Sequence, residues 1–327
     1  MQYSDTYEAV IGLEVHAQLL TKSKLFSADD AGFGGDPNTH ISPITLAHPG
    51  TLPKLNKEAI ELAVRMGLAC NCEIEHINYF ARKHYFYPDL PKGYQLSQHT
   101  TPVCKGGFVK IKTVQGERNI QLNRIHMEED AGKSMHDQYD DFSVVDYNRA
   151  GVPLIEIVTE PDLHTGDEAA AYVTELRKLV RTLGVCDGNM EEGSMRCDAN
   201  ISVRLKGDTK LGTKVEVKNV NSIRNLKKAI DFEVMRLIDL HQKGEPIIQQ
   251  TRSFNADDET TFAIRTKEDA NDYRYFADPD LPPFVITEDF IAHVKASLPE
   301  LPEQRKQRLM QQYQLPEYDA ALLSDDT

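Results

Sequence analysis

The sequence predicts an α+β fold in which helices pack on one face of a mostly antiparallel sheet. Several short β-like runs follow one another over residues 108–158 with no clear helical pattern between them. Long amphipathic helical patterns come afterwards and are separated by two further runs of alternating polarity. Strands grouped in this way pair readily with their neighbours, and the helices then cover one face of the sheet.

The predicted strands are recognised mainly by alternation of apolar and polar residues. The first, EAVIGLEVHAQLL, is also rich in aliphatic and β-branched residues. The six predicted strands span residues 8–20, 108–114, 119–127, 152–158, 195–204 and 213–219.

Three helices are predicted from apolar residues at helical spacing together with capping residues. They span residues 56–69, 167–183 and 222–243. Asn56 and Ser222 are suitable N-caps, because their side-chain oxygens can accept hydrogen bonds from the unpaired amides of the first turn. Gly184 and Gly244 follow the last two helices, where glycine readily adopts the left-handed conformation that ends a helix.

The character of the chain changes near residue 286. The residues that follow are helical in pattern and are interrupted by prolines. We therefore expect one large domain over 1–290 and, over 291–327, the beginning of a helical domain that is incomplete here.

Composition restricts the possible functions. The chain has 327 residues and a formal net charge of −14, whereas general nucleic-acid binders are usually basic. A local basic patch that binds RNA is still compatible with this charge. No apolar run approaches the roughly 18 residues of a membrane helix, and the first residues lack a signal-peptide pattern. We therefore expect a cytoplasmic protein that makes no contact with a membrane.

The five cysteines are odd in number, which favours reduced thiols over a disulfide framework. Cys70, Cys72 and Cys104 lie near two turn-rich stretches and are conceivable ligands of a structural zinc ion. The first two have the spacing C-x-C instead of C-x₂-C, and no fourth ligand is evident. Small, partly buried thiols are therefore the favoured interpretation, with structural zinc as the alternative.

Charged side chains recur on one face of the predicted strands. Glu14 and His16 are two residues apart, so both point to the same side of the first strand, roughly 7 Å apart, and can share a divalent cation. Glu156 is a single carboxylate in an otherwise apolar strand, where an unpaired charge would cost several kcal/mol. Further polar residues share one face of the last two strands: Arg196, Asp198 and Asn200 on the first, and Glu216 and Lys218 on the second. An exposed outer sheet face would also explain them, but this mixture favours a charged concave site.

The acidic run Glu128-Glu129-Asp130 directly follows a predicted strand. Mg²⁺ is usually bound by a few carboxylates together with water and nucleotide phosphates, so this run suits a magnesium site, although an exposed turn would tolerate it too. The next residues, Gly132-Lys133-Ser134, are not a phosphate-binding P-loop, because no glycine stands five residues before Gly132. If the protein binds ATP, it uses another arrangement.

Cations and aromatic residues are interleaved over 81–94, in the stretch ARKHYFYPDLPKGY. Arg82 and Lys83 can neutralise phosphates, and the aromatic faces can stack on nucleobases. A proline-bounded loop that buries its aromatic residues in the core explains the pattern equally well.

Several of these segments together resemble one family, the B subunit of the heterotrimeric aspartyl/glutamyl-tRNA amidotransferases. The matching runs are VIGLEVH (10–16), RKHYFYPD (82–89), HMEEDAGK (126–133), PLIEIV (153–158), EGSMRCDAN (192–200) and DYRYF (272–276). The resemblance extends from about residue 7 to the end of the chain.

This resemblance implies a fold and an activity. The implied fold is a catalytic cradle, similar to glutamine synthetase and the guanido kinases, with its site on a concave antiparallel sheet. The implied reaction uses ATP and Mg²⁺ to phosphorylate the side-chain carboxylate of glutamate or aspartate on the acceptor end of a misacylated tRNA. Ammonia, released from glutamine by an amidase A subunit, then displaces the phosphate, and a small C subunit holds the other two subunits together.

The resemblance also implies roles for individual residues. It identifies His16, Glu129 and Glu156 as metal ligands, with Glu14 close to them, and Arg82 and Lys83 as neighbours of phosphate. Strand position then adds the remaining candidates, namely Arg196 and Asp198 as catalytic residues and Asn200, Glu216 and Lys218 as residues that bind the nucleotide.

Two other functions remain open. A free-standing carboxylate–amine ligase would use ammonia and free glutamate without tRNA. An RNA-binding scaffold would need its acidic residues only for folding and would not bind Mg²⁺-ATP. The chain shows no serine-based amidase motif and no cysteine in a recognisable glutaminase motif, so its ammonia is expected to come from a partner.

Overall fold

The structure, a computed structural model, describes residues 3–135, 141–266 and 272–325. Its strands are β1 (Tyr7–Gln18), β2 (Glu73–Ile74), β3 (Ile77–Asn78), β4 (Ala81–His84), β5 (Tyr94–Ser97), β6 (Cys104–Lys105), β7 (Phe108–Thr113), β8 (Gly116–Glu129), β9 (Lys133–Met135), β10 (Val144–Asp146), β11 (Pro153–Thr159), β12 (Met195–Leu205), β13 (Val215–Val220), β14 (Gln250–Asn255), β15 (Thr260–Thr266), β16 (Phe276–Ala277) and β17 (Phe284–Val285). Its helices are α1 (Lys57–Ala69), α2 (Gly166–Thr182), α3 (Ile223–Lys243), α4 (Glu288–Ala296), α5 (Pro302–Tyr313) and α6 (Glu317–Asp325). In these ranges no helix is both long enough and apolar enough to cross a membrane.

One large sheet organises the fold. Within the described residues it contains thirteen strands, and its main path runs β15-β14-β13-β12-β1-β11-β8-β5-β4-β16. Along this path the neighbours are antiparallel, except that β13 and β14 are parallel. The remaining strands β2, β6 and β7 join at the side, through β8. The chain thus combines helices with one large, mainly antiparallel sheet, and the likeness to glutamine synthetase and the guanido kinases stays a prediction.

The two faces of the central strands differ in polarity, because side chains alternate between them. On β1, Leu13 and Val15 are completely buried in the core, together with apolar residues of α1, α2 and α3. Glu14 and His16 point to the opposite face. Helices therefore cover one side of the sheet, and the other side is left as a polar groove.

The three predicted helices are confirmed, with ends shifted by one residue. The side chain of Asn56 accepts a hydrogen bond from the amide of Glu58 at the start of α1, and Ser222 caps α3 in the same way. Gly244 ends α3 with a φ of 68°, in the left-handed region. The cap of α2 is Thr165, which was not predicted from the sequence.

Two regions contain strands that the sequence did not reveal. No strand is predicted within the stretch 81–94, but its first four residues form β4, and β5 begins at its last residue. Residues 250–266, for which no element was predicted, form β14 and β15 at one edge of the sheet. Their polar side chains do not alternate clearly with apolar ones, so a local pattern carries little signal there.

The C-terminal helices begin before the predicted domain boundary. Helix α4 spans residue 290 and packs against α1, with Val294 fully buried. Helices α5 and α6 pack on each other. The division at residue 290 therefore stays a prediction, and the outer ends of the two predicted domains, residues 1–2 and 326–327, lie outside the described residues.

Two tyrosine hydroxyls allow a matched test of the packing. The hydroxyl of Tyr172 in α2 is buried and has no hydrogen-bond partner among the described residues. The hydroxyl of Tyr3 donates to Asp231 at 2.5 Å and accepts the amide of Gly166 at 2.8 Å. We expect Tyr172→Phe to leave the free energy of unfolding unchanged or to raise it by about 1 kcal/mol, because an unpaired buried hydroxyl is unfavourable. Tyr3→Phe should lower it by about 1 kcal/mol.

Urea denaturation of both variants and of the unchanged chain measures this difference. A loss of stability in Tyr172→Phe as large as that in Tyr3→Phe would contradict the described environment of Tyr172.

Candidate functional site

Four neighbouring strands place charged side chains in one row across the groove. Arg196 on β12 is opposite His16 on β1, His16 is opposite Glu156 on β11, and Glu156 is opposite His126 on β8. Adjacent strands lie about 4.8 Å apart, so the four side chains are close neighbours on the polar face. All four line a groove of about 1210 Å³.

Two carboxylates and two imidazoles meet at the centre of this row. Nε2 of His16 lies 3.3 Å from Oε2 of Glu156 and 3.6 Å from Oε1 of Glu128. Nε2 of His126 lies 3.4 Å from the same oxygen of Glu156 and 3.7 Å from Oε2 of Glu128. Among the described residues, His16, Glu128 and Glu156 are the one set of three metal-binding side chains whose donor atoms lie close together. One imidazole and two carboxylates are a donor set that suits a divalent cation.

Burial makes the charges of this cluster depend on one another. Burial raises the pKa of Glu156, but the hydrogen bond from His16 and the charges of both imidazoles outweigh it, so the pKa lies below its usual value. Burial likewise opposes the charged form of His16, yet the hydrogen bond and charge of Glu156 and the charge of Glu128 raise its pKa to about 9. The positive charge of protonated His16 therefore offsets the negative charge of the carboxylates, and a divalent cation can replace that proton.

Glu129, which was predicted to be a metal ligand, lies on the other face of the sheet. It follows Glu128 directly in β8, so the two side chains point in opposite directions. The carboxylate of Glu129 accepts hydrogen bonds from Nζ of Lys92 at 2.5 and 2.6 Å and from the amide of Leu96 at 2.8 Å. This placement corrects the assignment, because Glu128 joins His16 and Glu156 where Glu129 was expected.

Arg82 and Lys83 also point in opposite directions. Nε of Arg82 donates to Asp278 at 2.6 Å, and its Nη2 donates to Asp280 at 3.0 Å. Lys83 lines the groove, and Arg82 is not among the groove-lining residues. The predicted role of Arg82 as a neighbour of phosphate is therefore corrected, whereas Lys83 lies where such a role is possible.

The other predicted residues form a second acidic set beside the central cluster. Glu14 is opposite Asp198 in the β1–β12 pairing, and Asn200 donates to Oε1 of Glu14 at 2.9 Å. Nζ of Lys218 lies 2.8 Å from Asp198 and 3.1 Å from Glu216. Burial and then the neighbouring carboxylates raise the pKa of Glu14. Glu14, predicted to be a metal ligand, thus lies in this second set and outside the three-residue cluster.

Arg196 is held in place by Asp130, the last residue of the acidic run, for which the sequence predicted no individual role. Its Nη2 lies 3.1 Å from both carboxylate oxygens of Asp130, and Gln18 donates to the same carboxylate at 2.7 Å. Burial raises the pKa of Asp130, but the charges of Arg196 and Arg149 outweigh it and lower the pKa. The ionised Asp130 therefore fixes the guanidinium of Arg196 at the wall of the groove.

Of the cysteines considered as zinc ligands, two are buried thiols and Cys72 is partly buried. Cys70 and Cys104 are fully buried, and Cys72 donates to the carbonyl of Gly106 at 2.9 Å. Burial raises the pKa of Cys72 to about 12. Within the described ranges these cysteines do not belong to any set of three close metal-binding side chains.

Comparison with known proteins assigns the chain to a family. Residues 9–292 match the family model described as the GatB/GatE catalytic domain. The chain belongs to this family. It is 53% identical to the B subunit of the aspartyl/glutamyl-tRNA(Asn/Gln) amidotransferase of Thermodesulfovibrio yellowstonii, over 98% of the chain and 67% of that relative. It is 50% identical to the corresponding protein of Bdellovibrio bacteriovorus over the same shares, and 53% identical to that of an Anaeromyxobacter species over 100% of the chain and 67% of the relative.

These matches confirm the family resemblance read from the motifs. The chain spans about two thirds of the length of these relatives. The family model ends at residue 292, so helices α5 and α6 lie beyond the matched part.

The finding that Glu128, and not Glu129, lies in the cluster can be tested directly. We expect Glu128→Gln to weaken Mn²⁺ binding at least about tenfold, because even an outer partner of a metal ligand is typically worth that much. Glu129→Gln should leave Mn²⁺ affinity nearly unchanged, since its carboxylate faces Lys92. Calorimetric titration of folded protein measures both affinities. An equal loss in the two variants would contradict the placement of these side chains.

The raised pKa of His16 predicts how metal affinity depends on pH. Its imidazole must lose a proton before it binds a cation, and its pKa is about 9. Apparent Mn²⁺ affinity should therefore rise with pH, by up to about tenfold per unit, and level off above about pH 9. His16→Gln should remove most of this slope. Titrations in buffers of different ionisation enthalpy count the released proton, and a flat profile for the unchanged chain would exclude His16 as a ligand.

Proposed function

We propose that this chain uses ATP to activate the side-chain carboxylate of glutamate or aspartate esterified to tRNA, so that ammonia converts it into an amide. The products are Gln-tRNA(Gln) or Asn-tRNA(Asn). The observation that carries the proposal is the buried cluster of His16, Glu128 and Glu156 at the centre of a groove with room for two substrates. Membership of a family whose relatives are named as components of tRNA amidotransferases supports it.

The chemistry needs charge neutralisation more than a covalent nucleophile. A carboxylate is a poor electrophile, and transfer of a phosphoryl group turns it into an acyl phosphate with a good leaving group. Phosphoryl transfer depends mainly on positioning and on stabilising negative charge. Clustered acids that bind a cation, with lysine and arginine beside them, suit this requirement.

Each part of the groove supports one aspect of this chemistry. His16, Glu128 and Glu156 would hold Mg²⁺, which supplies a positive centre for phosphate oxygens. Lys83 and Arg196 lie on either side of this cluster and offer donors to the oxygens of the transferred group. Lys218, between Asp198 and Glu216, orients the second acidic set.

We further propose that the ammonia comes from a partner. The relatives are named as one lettered component of an amidotransferase, which implies other subunits in their assemblies. An amidase A subunit would release ammonia from glutamine, a small C subunit would hold the assembly together, and the acceptor end of a misacylated tRNA would enter the groove. The reaction would take place in the cytoplasm.

The decisive experiment combines this chain with its A and C subunits and assays amidation of Glu-tRNA(Gln) and Asp-tRNA(Asn). Turnover should require ATP and either glutamine or an ammonium salt. Amidation of free glutamate would support the free-standing ligase. Failure of the chain to bind Mg²⁺-ATP would support the scaffold.

The same assay tests the cluster. With ammonium chloride as the nitrogen donor, His16→Ala and Glu156→Gln should each reduce ATP-dependent amidation by at least about 100-fold, because a bound cation typically stabilises the transition state by several kcal/mol. Glu303→Gln, which changes a carboxylate on the surface of α5, serves as the control and should keep full activity. Activity of either cluster variant close to that of the control would remove that residue from the site.

A further inference from the structure

Four rings form a continuous aromatic wall on one side of the groove: Tyr85, Tyr273, Tyr275 and His99. The rings of Tyr275 and His99 are stacked, with centroids 4.0 Å apart and 5° between their planes. Tyr273 contacts Tyr275 and Tyr85 edge to face, at centroid distances of 5.9 and 6.1 Å. This wall offers flat faces to a ligand, and the proposed phosphoryl transfer does not use it.

The backbone fixes the direction of the two tyrosines from the C-terminal part of the chain. Arg274 between them has a φ of 44°, in the left-handed region that non-glycine residues rarely adopt, and its side chain is exposed. The carbonyl of Tyr273 accepts the amide of His84 at 2.9 Å. Because the chain kinks at Arg274 and is attached to the end of β4, Tyr273 and Tyr275 both line the groove.

Two cations border the aromatic wall without an ion-pair partner in the described part of the chain. Nζ of Lys83 lies 5.0 Å from the centroid of Tyr273 and 5.9 Å from that of Tyr85. Arg124 also lines the groove and donates to the carbonyl of His99 at 3.4 Å. Both remain available to a ligand with negative charge.

The series of aromatic rings continues out of the groove. Phe86 is 92% exposed and Tyr87 is 54% exposed, directly after Tyr85 in the chain. Exposed rings beside cations are how proteins commonly bind single-stranded nucleic acid, with bases stacked on the rings and cations near the phosphates.

Length favours an unpaired RNA end over a nucleoside triphosphate as the ligand. A nucleoside triphosphate presents a single base to this series of rings. An RNA strand carries one charge per nucleotide and presents several bases, which matches rings that extend from the groove into solvent. Strand β4 lies two strands away from β8, roughly 10 Å. A base at the wall therefore lies roughly 10 Å from Glu128, a distance that a ribose and its aminoacyl group can span.

We propose that the aromatic wall binds the unpaired 3′ end of the aminoacyl-tRNA. The terminal base stacks on Tyr273 and Tyr275, the preceding nucleotides follow Phe86 and Tyr87, and the aminoacyl group reaches the central cluster. This inference rests on the proposed function and adds to it the position at which the acceptor end binds.

The test compares ring removal with ring retention in the complex with the A and C subunits. Affinity is measured for a tRNA ending in CCA and for the same tRNA lacking its terminal adenosine. The unchanged complex should lose roughly tenfold in affinity when the adenosine is removed, since stacking of one base contributes about that much. The double variant Tyr273→Leu/Tyr275→Leu should bind both RNAs equally. Tyr273→Phe/Tyr275→Phe keeps the rings and should behave like the unchanged protein.

Steady-state kinetics with ammonium chloride separate the two substrates. The leucine variant should raise KM for aminoacyl-tRNA and leave KM for ATP within about twofold, while the control Tyr318→Leu, on α6, should change neither. A rise confined to ATP would overturn the inference, as would an unchanged loss on removal of the adenosine. If the unchanged complex shows no ATP-dependent amidation, the proposed function fails, whereas the RNA-binding result still decides the role of the wall.

Discussion

Two carboxylates buried beside each other set the main constraint on this molecule. Glu128 and Glu156 repel each other, and each would be strongly unfavourable as an unpaired buried charge. They are tolerated because His16 and His126 lie within 4 Å of both. That arrangement requires β1, β11 and β8 to be adjacent and in one register. A slip of one residue in β1 would replace His16 by an apolar neighbour and turn the imidazole into the core.

The alternation of side chains also explains why the sequence placed the polar residues of β1, β12 and β13 on one face but selected Glu129 instead of Glu128 on β8. On β1, β12 and β13, polar residues at every second position identified the groove face directly. On β8, Ile125 and Met127 are fully buried, so the period of two places Glu129 with them and Glu128 in the groove. Following that period to the end of the strand would have selected Glu128. The partner of Glu129, Lys92, lies 37 residues earlier, and no local pattern shows it.

Contacts between distant segments account for what else could not be predicted. The stretch 81–94 had two equally good interpretations, because its pattern does not show what packs against it. In the structure each interpretation holds for one of the two cations. Arg82 is paired with Asp278 away from the groove, whereas Lys83 lines the groove beside Tyr273. Nearly 200 residues separate these partners in the chain. Asp130 is a similar case, because it follows the end of β8, where alternation no longer defines a direction.

The distribution of cations explains how a chain of net charge −14 can accommodate phosphate. Two basic side chains of the groove already pair with acids, Lys218 with Asp198 and Arg196 with Asp130, and six carboxylates line the groove beside five lysine and arginine side chains. Such pairs orient side chains, but they leave little net positive charge for a polyanion. In the proposed function, neutralisation of a triphosphate would therefore depend on a divalent cation at the central carboxylates. Nucleotide and cation binding would consequently be coupled, each raising the affinity for the other, because each supplies the charge that the other lacks.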